Sequence, residues 1–273
     1  MRKSRGTAGW NPGRCTGLPP VAAATYKAIG FIYAVVVIIL LAYLWHSGKW
    51  RQKAGWILLI LSTALGFLIF SPVAPYQFQQ LVLKDTVGLG APLLVGATGL
   101  AIVFLLALLF GRFFCGYLCP VGTAQELMYH VPVPKIRPLY KHAFEVIRGI
   151  VFILFLVLAF AFSVSLLALF GIKDFFSLVL SAGAVVFIVL LLVGMTFYRP
   201  FCRLFCPYGV LLSLGAWKSL IRLRRTDTCI KCKKCEHACP VDEAKEGDEK
   251  AECYLCGRCT DTCPVKGALS YRR

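Results

Sequence analysis

Apolar residues gather along this chain in five runs, near Ala28–Trp45, Ala54–Phe70, Pro92–Phe110, Gly149–Phe170 and Leu178–Tyr198. At about 1.5 Å rise per residue, each is long enough, or nearly so, to cross a hydrocarbon core of about 30 Å as a helix. One such run alone would fit a buried helix of a soluble protein. Five of them point to a membrane. None contains Asp, Glu, Lys or Arg. Ion pumps and proton relays keep ionisable groups inside the bilayer, so transport is disfavoured.

The intervening segments are polar and short. Residues 1–27 are rich in Gly and Pro, carry Arg2, Lys3, Arg5 and Arg14, and read as a flexible basic tail in which Cys15 is an incidental thiol. A cleaved signal peptide is poorly supported, because the first apolar run is long and no small-residue cleavage site follows it. Ser71–Ala91, with Pro72, Pro75, Tyr76, Gln77, Gln79 and Gln80, reads as a loop able to fold over the mouth away from the tail, as a docking or quinone-site candidate.

Composition agrees: 58% of the 273 residues are hydrophobic, and the mean hydropathy is +0.72. The charge is lopsided, with 30 Lys+Arg against 13 Asp+Glu. These basic residues flank spans and cysteine motifs, which speaks for helix-end anchors and against nucleic acid. If the spans alternate, one side holds residues 46–53, 111–148 and the C-terminal segment, with three, five and 15 Lys or Arg; the other holds the tail through Lys27 with five, plus Lys84 and Lys173. The first side is expected to be the cytoplasmic face of a cell membrane. Five spans then put the basic N-terminal tail outside, a local conflict with the same rule.

The chemistry sits in the cysteines. Cys229, Cys232, Cys235 and Cys239, then Cys253, Cys256, Cys259 and Cys263, both read C-x2-C-x2-C-x3-C-P, the second copy 24 residues after the first. In this spacing three thiolates wrap one iron–sulfur cluster while the fourth reaches the other. The expected ligand sets are therefore crossed: Cys229, Cys232, Cys235 and Cys263 for one [4Fe–4S] cluster, Cys253, Cys256, Cys259 and Cys239 for the other. Zinc fits poorly, since it usually takes two separated C-x2-C pairs. Disulfides suit small secreted chains, which this is not.

A second repeat lies at span ends. Arg112, Cys115, Cys119, Pro120 and Gly122 recur as Arg199, Cys202, Cys206, Pro207 and Gly209, displaced by 87 residues, and each C-x3-C-P follows two spans. A duplicated two-span unit with one added span results. If helical, each motif presents its thiols on one face at i and i+4, with the proline opening the next helix. Four thiols brought together this way can hold a further iron–sulfur centre, bind another metal, or cycle as a dithiol and disulfide. His46, His130, His142 and His237 all lie outside span interiors, so no membrane b-type haem is expected, although His46 and His130 could touch a quinone headgroup.

The order of spans, C-x3-C-P motifs and tail resembles the membrane polyferredoxins of the NapH and NosR type, over roughly Ala54–Arg273. That resemblance implies a quinol dehydrogenase membrane subunit linking the quinone pool to a protein redox partner. Cys115, Cys119, Cys202 and Cys206 match its membrane-face motif, and the eight tail cysteines match its cluster ligands. The first span lies outside the NapH-type core and the flavin-binding domain of the NosR type is missing, so no flavin is implied. Gly257 follows Cys256 where the first motif has Lys233, whose charge should raise the potential of the nearby cluster.

The expected fold is an all-α polytopic membrane protein with a small C-terminal α+β ferredoxin-like domain. Its parts are a tail (1–27), an added helix (28–53), two repeats (54–147 and 148–222) and the two-cluster domain (223–273). The expected function is electron transfer between a quinol pool and a redox partner, whether or not the chain is itself an enzyme. One rival is a metal-handling or assembly factor using the C-x3-C thiols with electrons from the tail; another is a passive membrane anchor.

Overall fold

The computed structural model describes residues 20–49, 52–69, 73–89, 92–136, 141–163, 165–265 and 267–272. Of the expected flexible tail (1–27), residues 1–19 with Cys15 lie outside them, whereas residues 20–27 are helical and belong to the first helix. The five apolar runs form five helices: α1 (Pro20–His46), α2 (Gln52–Ile69), α5 (Leu93–Phe110), α7 (Lys141–Phe162) and α9 (Ala182–Thr196). Windows in α1, α5 and α7 are long and apolar enough to cross a membrane, while α2 and α9 are shorter apolar helices. Their outward faces expose Ile32, Leu40, Ile57, Leu94, Ile153, Phe160 and Val189. Such continuous apolar surface is stable only against lipid or another apolar partner.

Three expectations change. α7 begins at Lys141 rather than Gly149, so Glu145 and Arg148 ride on a helix expected to be free of charge. Arg148 is buried and its Nη2 donates to Ser213 Oγ at 2.8 Å, which satisfies it inside protein rather than lipid. The same helix stops at Phe162, and Ser163 adopts a φ of 51°. A 3₁₀ turn (Leu166–Ala168) and α8 (Ile172–Phe176) follow before α9, which Ser181 caps by accepting the Ala184 N–H at 3.1 Å.

Ser71–Ala91 is not a loop over a mouth. It contains α3 (Ala74–Val82) and α4 (Thr86–Leu89), and α3 packs on α5, α7 and α11 (Pro207–Trp217). Gln79, expected in a polar docking or quinone-site loop, is buried and its Oε1 accepts the Leu167 N–H at 2.8 Å. A helix re-entering the bundle needs such partners, because no water is there to take its polar groups.

The duplication is visible in the packing. The first motif leads into α6 (Pro120–Tyr129), and the second passes through α10 (Pro200–Leu204) into α11. Helix α6 packs on α2 of its own repeat and α9 of the other; α11 packs on α7 of its own repeat and α5 of the other. The repeats thus interlock as a pseudo-two-fold pair, which brings both C-x3-C-P motifs to one face. At that face His46, closing α1, donates from Nδ1 to the Tyr271 carbonyl at 3.3 Å.

The tail is an α+β unit. β1 (Arg222–Arg225) pairs antiparallel with β2 (Leu269–Arg272), and between them α12 (Lys234–Ala238) packs against α13 (Arg258–Thr262). The Tyr271 hydroxyl donates to the Phe110 carbonyl, which fixes the sheet to the end of α5.

Candidate metal centres

Each tail motif runs from loop into a five-residue helix, and the helices lie against each other so that the fourth cysteine of each crosses to the partner motif. Cys229, Cys232, Cys235 and Cys263 line one void. Cys239, Cys253, Cys256 and Cys259 line the inner part of a cleft of about 710 Å³. The structure therefore gathers the same two groups of four that the spacing predicts. Backbone turns recur with them: Lys231 and Leu255 have φ of 53° and 55°, and Lys233 and Gly257 have 59° and 85°. Left-handed residues next to right-handed ones turn successive N–H groups inward into an anion-binding nest. For Lys and Leu this costs roughly 1–2 kcal/mol per residue, so the surroundings must impose it.

Burial pushes the Cys239 thiol up to about 11 and Cys253 to about 12. Left to themselves they are protonated at neutral pH, and a bound metal is what makes them thiolates. Among the described residues no three Cys, His, Asp or Glu converge closely enough to hold a single ion. Each crossed set supplies four thiols, the number a [4Fe–4S] cluster takes.

The membrane-face motifs form differently from the expected α-helical pairs. Phe114–Leu118 is a π-helical turn. The N–H of Cys119 donates to the Phe114 carbonyl at 2.9 Å, and that of Cys206 to the Phe201 carbonyl at 3.0 Å, so both motifs close over five residues instead of four. Each second cysteine then takes an extended conformation as N-cap, with Pro120 or Pro207 opening the next helix. π-turns of this kind are frequent at functional sites.

The two motifs bring Cys115, Cys119, Cys202 and Cys206, all buried, around one void, closed over by Ala74 and Pro75 of α3. Gln125 Nε2 donates to Cys202 Sγ at 3.2 Å, and the Gly209 N–H donates to Cys206 Sγ at 3.2 Å. Hydrogen bonds to sulfur are among the means by which proteins tune clusters. The void here and the Cys263 void are each about 10 Å³, so at both sites a cluster requires the lining to open around it. Burial raises Cys119, Cys202 and Cys206 here too, Cys202 to about 11.

Two buried carboxylates, which the sequence reading did not single out, join the halves. Glu126 pairs with Arg199 at 2.9 Å and with Arg258 of the tail at 2.6 Å. Glu252 of the tail pairs with Arg112 at 3.0 Å and also with Arg148. Between the two motif arginines lies the ring of Tyr254, 4.4 Å from the Arg112 guanidinium and 4.6 Å from that of Arg199. Tyr117 donates to the Leu255 carbonyl at 3.0 Å, and Gly116 lets the Tyr254 carbonyl approach so closely that a Cβ there would stand 2.5 Å from it. The only trace of this joint in the sequence is the recurrence of arginine in both motifs.

A crevice beside the joint is lined by Gly55, Trp56, Glu126, His130 and Cys256. The Trp56 and His130 rings lie 4.3 Å apart. His130 Nδ1 donates to the Glu126 carbonyl at 2.7 Å, leaving Nε2 as the acceptor facing Arg258 Nη2 at 3.4 Å. Burial, with Arg258 beside it, holds this imidazole below its ordinary pKa. His46 is engaged with the sheet instead, and His142 and His237 lie on α7 and α12.

The 4Fe-4S binding domain matches residues 92–138 and 179–226, two segments that each contain one of the membrane-face motifs. The uncharacterized protein MJ0750 of Methanocaldococcus jannaschii is 30% identical over 186 residues, covering 64% of this chain and 76% of that protein. MJ0749 of the same organism is 30% identical over 177 residues, 62% of this chain and 68% of its own length. YccM of Escherichia coli, named for a role in electron transport, is 29% identical over 153 residues, 50% of this chain and 43% of its own. No solved structure matches. With this identity over most of both archaeal proteins, the chain belongs to their family and carries the 4Fe-4S binding domain in two copies.

Proposed function

We propose that the chain is an integral membrane electron carrier of the quinol dehydrogenase type, passing electrons between a lipid-soluble quinol and a protein redox partner. The observation that carries this reading is the seat of the Tyr254–Cys256 loop. It rests on the first membrane-face motif between Arg112 and Arg199, while Cys232 at the far side of the tail is exposed. A path thus leads from the bilayer surface to a surface a partner can touch. YccM, named for electron transport, supports it. Bound clusters supply the one-electron steps. The chain's own residues hold them, keep water from the joint, and shape the approach of the quinol.

The Trp56–His130 crevice is where we expect the quinol headgroup. It opens where Trp56 is partly exposed at the lipid-facing surface, it offers an aromatic face, and His130 Nε2 can accept a hydroxyl proton. Cys256 closes its inner end. We further propose that all five apolar helices cross, with the tail on the cytoplasmic face.

The test is quinol-dependent reduction of the purified protein in liposomes, followed by EPR. Reduction by a short-chain quinol is expected, and Trp56→Ala and His130→Ala should each raise the half-saturating quinol about tenfold, the equivalent of about 1.4 kcal/mol of binding. Full cluster content with no response to any quinol would sink the reading. Reduction of a copper or iron salt by the dithionite-reduced protein would then favour the metal-handling rival.

A further inference from the structure

We propose that Cys115, Cys119, Cys202 and Cys206 together hold one [4Fe–4S] cluster, a third centre shared between the two repeats. The 4Fe-4S binding domain matches each repeat separately, yet each matched segment supplies only two cysteines. Neither copy can ligate a cubane alone, since a cluster of this kind takes four thiolates. The interlocked packing resolves this by turning both pairs into the same buried void, so two domain matches make one complete site.

Arg112 is the independent observation. Its side chain is wholly buried and lines the four-thiol void, and its Nε and Nη2 have no hydrogen-bond partner. Buried N–H donors without an acceptor are costly even on a guanidinium whose Nη1 is paired, as here with Glu252. Around the joint the imbalance widens. Arg112, Arg148, Arg199, Arg203 and Arg258 meet there, and the carboxylates paired with them among the described residues are Glu126 and Glu252. Arg203, beside Cys202 in sequence, also leaves Nη1 without a partner. A cubane bearing four thiolates is an anion, and bound in this void it offers both the missing negative charge and sulfur acceptors for the orphaned N–H groups.

The void also has the right neighbours for a working redox centre. Gln125 and the Gly209 N–H already aim at two of its sulfurs. The ring of Tyr254, flanked by Cys253 in sequence, stacks on Arg112, so two stacked side chains link the centre to the tail group formed by Cys239, Cys253, Cys256 and Cys259. This assignment does not depend on the quinol reading; a protein with three clusters and no quinol response would leave it standing.

The experiment is native mass spectrometry of the anaerobically purified full chain in detergent, with iron and acid-labile sulfide counted on the same sample. Three cluster masses and about twelve irons are expected, against about eight if only the tail is filled. Cys115→Ser and Cys202→Ser should each lose about four irons while the EPR of the two tail clusters persists. Two cluster masses in the wild type would overturn the proposal, as would a third mass that survives both substitutions. If the variants do not fold, the wild-type count alone decides.

Discussion

Glu126 shows how much one residue carries in this joint. Burial opposes its ionisation, but the Arg199 and Arg258 guanidiniums outweigh that and hold the carboxyl at about 2. An unfolded glutamate titrates near about 4.3. Its folded value lies below that, so the stabilisation is complete above about pH 4.3 and is lost as pH falls toward 2. Glu126→Gln leaves two arginines buried without their anion, which should cost about 3–5 kcal/mol at pH 7. Denaturant unfolding in detergent checks both points. The gap between wild type and variant should be full at neutral pH and narrow steadily below about pH 4. A gap that stays constant down to pH 3 would mean that Glu126 acts through packing and not charge. Neither Glu126 nor Glu252 was legible as a site residue, because the partners that give them meaning lie far away in the chain. The cysteines were legible because a cluster's demands are written as short spacings.

At the level of elements, the paired motifs offer an internal comparison. Gly122 and Gly209 occupy matching positions in the first turns of α6 and α11, each just after its proline. A Cβ at Gly122 would stand 2.5 Å from the Cys115 carbonyl oxygen and 3.2 Å from Arg199 Nη1; one at Gly209 would stand 3.2 Å from the Cys202 carbonyl oxygen. Alanine gains up to about 1 kcal/mol over glycine in a helix, which roughly offsets a small adjustment. It does not offset displacement of a backbone carbonyl, which overpacking data put at about 1–3 kcal/mol. Gly209→Ala should therefore be near neutral and Gly122→Ala clearly destabilising, read as the shift of the unfolding midpoint in one detergent. Equal shifts would mean that the two motifs are more nearly identical than their contacts suggest. The repeat itself was readable from the recurrence of Arg, Cys, Pro and Gly. The five-residue closure of the motifs was not, since it depends on α2 and α6 packing around the π-turn. Re-entrant α3 was hidden for a related reason. Its glutamines and prolines have the composition of a loop, and only the Leu167 N–H, from the other repeat, makes Gln79 a buried residue.

For the whole molecule, the proposed five crossings raise a question of length. Helix α9 has 15 residues, about 22 Å at 1.5 Å per residue, short of a core of about 30 Å. Yet the ends of α1, α5 and α9 all meet the tail: His46 bonds to Tyr271, Phe110 accepts from Tyr271, and Arg199, just beyond α9, lies over the ring of Tyr254. If α5 and α9 both arrive at that face, α2 and α7 both leave it, which supports the proposal that the short helices cross along with the long ones. Exposed Leu178 and Leu180 extend the apolar surface ahead of α9, and a locally thinned bilayer can absorb the rest. The five crossings proposed above would put residues ahead of α1 and the tail on opposite sides, with the 15 basic residues of the C-terminal segment on the cytoplasmic one. A reporter fused after Arg273 should then be active only in its cytoplasmic form, and a tag ahead of Met1 should be open to protease in intact spheroplasts. Insertions near Lys84 and Lys173 should follow the tag. Both ends on one side would mean that α1 lies along the membrane instead of across it, with the basic N-terminal segment kept on the cytoplasmic face after all.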